Sequence, residues 1–368
     1  MRTRAQIRHE AARLMAFFVA AGAEPVEAAM LQPAGTLLDL YGEDIRARAY
    51  VTTDPIRGEL MLRPDFTVPV ILQHIEAGAA DARYTYAGEV FRKQEDDPHR
   101  PTEYIQVGLE LFDGADPAAA DAEVFALISE AVADTTLRAA TGDIGVLTAA
   151  VEGLSVSPAR RAALMRHIWR PRRFRTLIER FAGLRPASPE RQSLLAALES
   201  GTDVLAAAGK QIGMRSQDEI RTRLNRLVAD AAEPPIPAGE LDVMDRILRL
   251  KERAPEALET LFDIAVDMPA IQDAVGRLAR RLDAMAARGV DVANLLFETS
   301  YGRTSMEYYD GFVFGLYAEG RPDLPPVATG GRYDALTRVL GRGQSIPAVG
   351  GVIRPEVKLL VAEDGQWP

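Results

Sequence analysis

The sequence predicts an α+β fold, a β-rich core in two parts interrupted by a helical insertion. Three observations carry this reading. Between about 48 and 112, the stretches ARAYVTTD, GELMLRPD, ARYTYAGEVF and EYIQVGLELF have alternating or β-branched and aromatic residues bounded by turn residues, as half-buried strands do. From about 155 to 288 the text is helical and rich in Ala, Arg and Leu, with prolines at 158, 171, 186, 189, 234, 235, 237 and 255. Strand patterns return at 292–297, 311–317 and near 346–352. The core is therefore expected over 1–154 and 289–368, and the insertion over 155–288.

Taken in order, Ile7, Ala11, Leu14, Met15 and Phe18 recur at helical spacing, and Gly22 supplies a stop. Glu24-Pro25-Val26-Glu27 is extended around its proline, and Pro33 precedes a short helix ending near Gly42. After the four strands, Asp113-Gly114-Ala115-Asp116-Pro117 breaks the pattern. A helix follows over about 117–135, with Val124, Ile128 and Val132 along one stripe. There is no internal repeat and no low-complexity tract beyond alanine-rich helix.

Composition limits the function classes. The chain has 368 residues, 47% of them hydrophobic, enough for a sizeable core. Its 43 basic and 53 acidic residues give a net charge of −10, which opposes general nucleic-acid binding. It has no cysteine, so thiol catalysis and zinc–thiolate sites are excluded. Its four histidines, His9, His74, His99 and His167, fall in no metal-ligand spacing, and no cofactor or metal is expected. No signal peptide or apolar run of membrane-spanning length is read, so the expectation is a cytoplasmic protein.

The chemistry-bearing segments are Leu62-Arg63-Pro64-Asp65-Phe66-Thr67, Val90-Phe91-Arg92-Lys93-Gln94 and Tyr104-Ile105-Gln106-Val107-Gly108-Leu109-Glu110. They are followed by Glu307-Tyr308-Tyr309-Asp310-Gly311-Phe312, Gly330-Gly331-Arg332-Tyr333-Asp334 and Pro347-Ala348-Val349-Gly350-Gly351. Asp65, Gln106 and Glu110 supply acceptors, and on an extended strand Gln106 and Glu110 share a face, as do Asp65 and Thr67. Arg92 suits a carboxylate or phosphate. Tyr308, Tyr309 and Tyr333 supply walls with hydroxyls. Such a set can hold an amino acid.

This ordered set resembles the catalytic domain of histidyl-tRNA synthetase, a class II synthetase, over roughly 1–150 and 290–360. The resemblance implies a mostly antiparallel sheet flanked by helices. It also implies a histidine pocket at Asp65, Thr67, Arg92, Gln106, Glu110, Tyr308, Tyr309 and Tyr333. The departures concern ATP. The family's second signature places a glutamate where this chain has Gln94, ahead of the acidic Glu95-Asp96-Asp97-Pro98. The family's catalytic arginine, four residues before its tyrosine pair, becomes Thr304, with Arg303 one place away. The arginine ending the third signature becomes Val357, and Pro355 is expected to disturb the helix there. Losing two cations from a triphosphate site removes several kcal/mol of transition-state stabilisation, at about 2.7–4 kcal/mol for each electrostatic donor.

Adenylation is therefore expected to be lost. With the chain ending soon after Glu356, no anticodon-binding domain is expected either. That profile is similar to the regulatory subunits that partner short-form ATP phosphoribosyltransferase. The resemblance implies a catalytic-subunit partner in a hetero-oligomer, self-dimerisation, histidine as effector and no catalytic residue of its own. The alternatives are an active, truncated synthetase-like enzyme and an RNA-binding module. The latter would use the eight arginines between 160 and 180 around Trp169 and Phe174, although a solvated helix face is the preferred reading of that stretch. Gly330-Gly331 is read as a structural turn, and His99 as a solvated loop histidine.

Overall fold

The computed structural model describes residues 3–35, 48–94, 100–209, 213–303 and 308–364. Helix α1 (Arg4–Ala20) starts at a capping box in which Thr3 and Gln6 satisfy each other's exposed groups, and it buries Ile7, Ala11, Leu14 and Phe18. A two-residue strand, β1 (Glu24–Pro25), follows it. Strands β2 (Leu31–Pro33), β3 (Val51–Asp54) and β4 (Gly58–Leu62) form a small antiparallel sheet in the order β2-β4-β3. Beyond them, α2 (Thr67–Ala77) leads into β5 (Ala82–Phe91) and β6 (Glu103–Phe112). Helix α3 (Pro117–Ala131) is capped by Asp116 and leads to β7 (Leu137–Asp143). The helix expected to end near Gly42 lies mostly outside the described residues.

Among the described residues, nine helices continue the chain. They are α4 (Ile144–Gly153), α5 (Pro158–Arg166), α6 (Pro171–Phe181), α7 (Pro189–Glu199), α8 (Val204–Ala207), α9 (Gln217–Ala232), α10 (Ala238–Arg249), α11 (Ala254–Asp267) and α12 (Gln272–Ala287). One strand, β8 (Lys251–Arg253), lies among them. Several of the prolines that punctuate this region stand at helix starts, where no backbone N–H is needed: Pro158, Pro171, Pro189 and Pro255.

The chain then returns as β9 (Leu296–Glu298), β10 (Phe312–Ala318), β11 (Ala328–Arg332), α13 (Asp334–Leu340), β12 (Ala348–Ile353) and α14 (Pro355–Asp364). The large sheet runs β1-β5-β6-β12-β11-β10-β7-β9-β8 and is antiparallel except at β1–β5 and β7–β9. The α+β class and the class II arrangement are thus as the sequence predicts.

Strand alternation gives this sheet two distinct faces. On one, Val107, Leu109, Leu111, Phe312, Phe314, Val349 and Ile353 pack against α1 and α3 in the larger core. On the other, Tyr84, Tyr86, Phe112, Val313 and Ala348 join α2 and the three site tyrosines in a second cluster. His74 belongs to that second packing. It stacks on Phe112 at 3.9 Å, and burial holds its imidazole below its ordinary pKa.

Four expectations are corrected. Residues 292–294 form a 3-10 turn, and the strand there is only Leu296–Glu298, because Asp291 caps the turn through the Asn294 amide. Gly330 and Gly331 lie within β11, not in a turn; Phe314 and Tyr309 lie over them where a side chain would stand. Pro355 begins α14 instead of disturbing it. Thr67 opens α2, so strand alternation does not relate it to Asp65.

The 155–288 stretch is also tied firmly to the large sheet. Strand β8 pairs with β9, and Arg281 of α12 is buried between Asp121 of α3 and Asp143 of β7, at 2.8 Å from each. Arg332 of β11 meets the other oxygen of Asp121 at 2.7 Å and Asp334 at 3.0 Å.

Candidate functional site

The site grows from β5 and β6. Gln106 and Glu110 lie on one face of β6, each about 1% exposed. Gly108 lies between them, opposite Tyr86 of β5. A Cβ on Gly108 would stand 2.1 Å from the Tyr86 ring, so its absence lets the phenol cross β6 toward Glu110. On β12, Gly350 faces Glu110 in register, and a Cβ there would fall 1.6 Å from Oε2. Two glycines thus make room for one carboxylate and one ring.

Three hydroxyls donate to Glu110. Tyr86 reaches Oε1 at 2.9 Å and Thr67 reaches it at 3.0 Å, while Tyr333 reaches Oε2 at 2.6 Å. Burial pushes the Glu110 carboxyl up to about 7, against the downward pull of these donors, and the nearby Asp65 adds to the rise. Burial and the Glu110 charge together hold the Tyr86 and Tyr333 phenols well above their usual range. Burial likewise raises Tyr309; Glu110 and Asp65 add to that rise, while Tyr308 and Arg92 oppose it. The Tyr308 ring meets Tyr309 at 4.8 Å and Tyr333 at 6.2 Å.

Asp65, Thr67, Glu110, Tyr308, Tyr309 and Tyr333 are therefore brought together. Gln106 lies on the same strand face, and among the described residues its buried Oε1 has no hydrogen-bond partner. Arg92 is half-buried, with Nε donating to the Pro64 carbonyl at 2.8 Å. Its charge bears on both Tyr309 and Arg354.

Arg354 is a cation that the residue reading did not place in the site. Its Nη1 donates to the Pro326 carbonyl at 2.7 Å, and burial lowers its pKa, helped by the Arg92 charge. Tyr86 was also missed. Its signal, a glycine directly across the strand pair that leaves room for the ring, exists only once the pairing register is known.

The positions expected to be lost to ATP chemistry are occupied as follows. Gln94 donates Nε2 to the Pro101 carbonyl at 3.1 Å. Val357 is buried in the larger core, while the neighbouring Lys358 Nζ binds Asp134 at 2.6 Å and Glu10 at 2.9 Å. Thr304, Glu95, Asp96, Asp97, Pro98 and His99 lie outside the described residues.

Arg303, the near-miss for the family's catalytic arginine, is 4% exposed. Its Nε donates to the Ile168 carbonyl at 2.6 Å and its guanidinium lies 4.8 Å from the Phe174 ring centre. Burial lowers its pKa to about 10. Arg303 and Arg354 are thus anchored to carbonyls of different segments. The arginine-rich stretch is mixed rather than a uniformly solvated face. Arg160 is buried against Asp230 at 2.8 Å, whereas Arg166, Arg172, Arg173 and Arg175 are exposed.

A family profile described as histidyl-tRNA synthetase matches residues 2–236 and 217–357. An ATP phosphoribosyltransferase regulatory subunit from Brucella anthropi is 30% identical over 93% of this chain and 94% of its own. One from Brucella canis is 31% identical over 89% of this chain and 90% of its own. The chain belongs to the ATP phosphoribosyltransferase regulatory subunit family.

Solved structures carry the same fold. One, described as an ATP phosphoribosyltransferase regulatory subunit/histidyl-tRNA synthetase from Bacillus halodurans, superposes with a TM-score of 0.68 at 18% identity, covering 98% of this chain and 82% of its own. A histidyl-tRNA synthetase from Nostoc gives 0.62 at 16% identity, covering 98% and 73%. For a regulatory subunit, the burial of Val357 in the core has a direct meaning. The helix that ends the third signature contributes packing at that position and no cation.

Proposed function

We propose that this chain is the non-catalytic regulatory subunit of a short-form ATP phosphoribosyltransferase. In this reading it is required for activity of the catalytic subunit and carries feedback by histidine on the first step of histidine biosynthesis. One observation carries the effector part: a buried carboxylate with three hydroxyl donors shares a strand face with an unpaired amide oxygen, in a chain whose position 357 is apolar.

The proposed ligand follows from the spacing. Gln106 and Glu110 are four residues apart, so their Cα atoms are roughly 13 Å apart along the strand. That span suits an amino acid with a polar ring, hydrogen-bonded at both ends. Asp65 and the Gln106 oxygen are acceptors of the kind an ammonium needs, Arg92 and Arg354 offer guanidinium donors for its carboxylate, and Glu110 can accept from an imidazole N–H. Such a pocket can regulate a partner only if its ligand affinity differs between two states of the assembly. The setting proposed is the cytoplasm, as a self-dimer within the hetero-oligomer.

Calorimetric titration with L-histidine tests the effector claim. Saturable binding to this chain, alone or with the catalytic subunit, is the expected result; no heat in either case removes the effector role.

A further inference from the structure

The hydrogen bonding around Glu110 is asymmetric between its two oxygens. An ionised carboxylate offers about four acceptor positions, and three are taken by hydroxyls here. Oε1 receives two of these donors, Tyr86 and Thr67, while among the described residues Oε2 receives only Tyr333 and occupies the space that a Cβ on Gly350 would fill. The open acceptor position is therefore on Oε2.

Tyr86 is held by a stack of rings and a guanidinium. Its ring is fully buried and stacks on Phe66 at 4.3 Å with the planes 10° apart. The Arg63 guanidinium lies 4.0 Å from the centre of the Phe66 ring, making a layered stack. Arg63 is itself fixed by donating to the carbonyls of Glu89, at 2.8 Å, and Ala28. Gly88 makes room for this stack, since a Cβ there would stand 2.7 Å from Arg63 Nη2 and 2.9 Å from the Phe66 ring. Two residues away on β5, Tyr86 lies over Gly108.

We propose that Tyr86 is a positioning residue for the effector site: clamped by Phe66 and Arg63 and admitted by Gly108, it fixes Oε1 of Glu110 so that Oε2 is presented to the ligand's ring N–H. This rests on the pocket being an effector site. The titratable and charged groups facing Glu110 are Asp65 beside α2, Tyr86 on β5, Tyr309 before β10 and Tyr333 after β11, with Arg92 bearing on Tyr309. Of these, Tyr86 and Tyr333 donate to the carboxylate, and so does the Thr67 hydroxyl of α2. Removing one donor disfavours the ionised form and raises the pH at which Glu110 gives up its proton.

Tyr86→Phe keeps the stack and deletes only the hydroxyl. Two readouts separate positioning from packing. The first is the infrared band of the protonated Glu110 carboxyl in the ligand-free protein, identified by its loss in Glu110→Gln; its titration midpoint is expected to rise by about one pH unit or more in Tyr86→Phe. The second is calorimetry with L-histidine near pH 7, where affinity is expected to fall roughly ten- to a hundredfold and to recover partly at higher pH. An unmoved midpoint overturns the proposal, as does unchanged affinity when the parent chain binds histidine. If the midpoint moves but the parent chain binds no histidine, the effector reading fails along with the ligand-directing part, leaving only the tie between Tyr86 and Glu110.

Discussion

At the scale of single residues, Glu110 is where burial and hydrogen bonding oppose each other most directly. Three hydroxyl donors favour its charged form, yet burial wins and the carboxyl rises to about 7. An unfolded glutamate titrates near 4.5. The folded protein therefore holds a proton between those values that the unfolded chain releases, and stability falls as pH rises from about 4.5 to 7. Glu110→Gln lacks that titration. Denaturant unfolding of both proteins across this range should show the parent losing up to about 3 kcal/mol relative to the variant, with a constant difference above neutrality. Much of this residue-scale picture is legible in the sequence, because a strand's period of two places Gln106 and Glu110 together without further information. Tyr86 and Arg354 were not legible in the same way. Tyr86 reads as one more aromatic in a strand, and its role depends on the missing side chain of Gly108 on a neighbouring strand. The place of Arg354 depends on where β12 ends beside Arg92.

At the scale of elements, the long strands and first helices announce themselves by pattern, whereas the pieces that close the sheet do not. Strand β7, Leu-Arg-Ala-Ala-Thr-Gly-Asp, has few bulky β-formers, yet it lies between β10 and β9 with Tyr301 packed against Gly142. Small residues are required there by contacts distant in sequence. The helices of 155–288 are legible as helices, but their attachment is not, because it runs through buried charges. Arg281 bridges two aspartates and lies 4.6 Å from the centre of the Phe312 ring, holding α12 to the sheet. Arg281→Leu would leave Asp121 with only Arg332 and Asp143 without its arginine, and is expected to lower the unfolding free energy by about 3–5 kcal/mol in urea titration. Unchanged stability would mean that packing alone secures α12. Arg303 forms a second attachment, joining the segment before the tyrosine pair to Ile168 and Phe174. That gives α6 a physical connection to the segment following β9 through one guanidinium.

At the scale of the whole molecule, the family, the fold and the local chemistry point the same way. A synthetase-like sheet carries the buried carboxylate, hydroxyls and rings of the proposed effector site, while position 357 is given to the core. The net charge of −10 is compatible with a protein partner and raises the cost of approaching a polyanion. Among the described residues, no helix is long and apolar enough to cross a membrane. The central claim is regulation without catalysis, and reconstitution tests it most directly. ATP phosphoribosyl transfer by a short-form catalytic subunit should be measured alone, with this chain, and with this chain plus L-histidine. The account predicts little turnover alone, strong activation by the chain, and loss of that activation as histidine is added. Equal rates with and without the chain, or an activated rate indifferent to histidine, would contradict it.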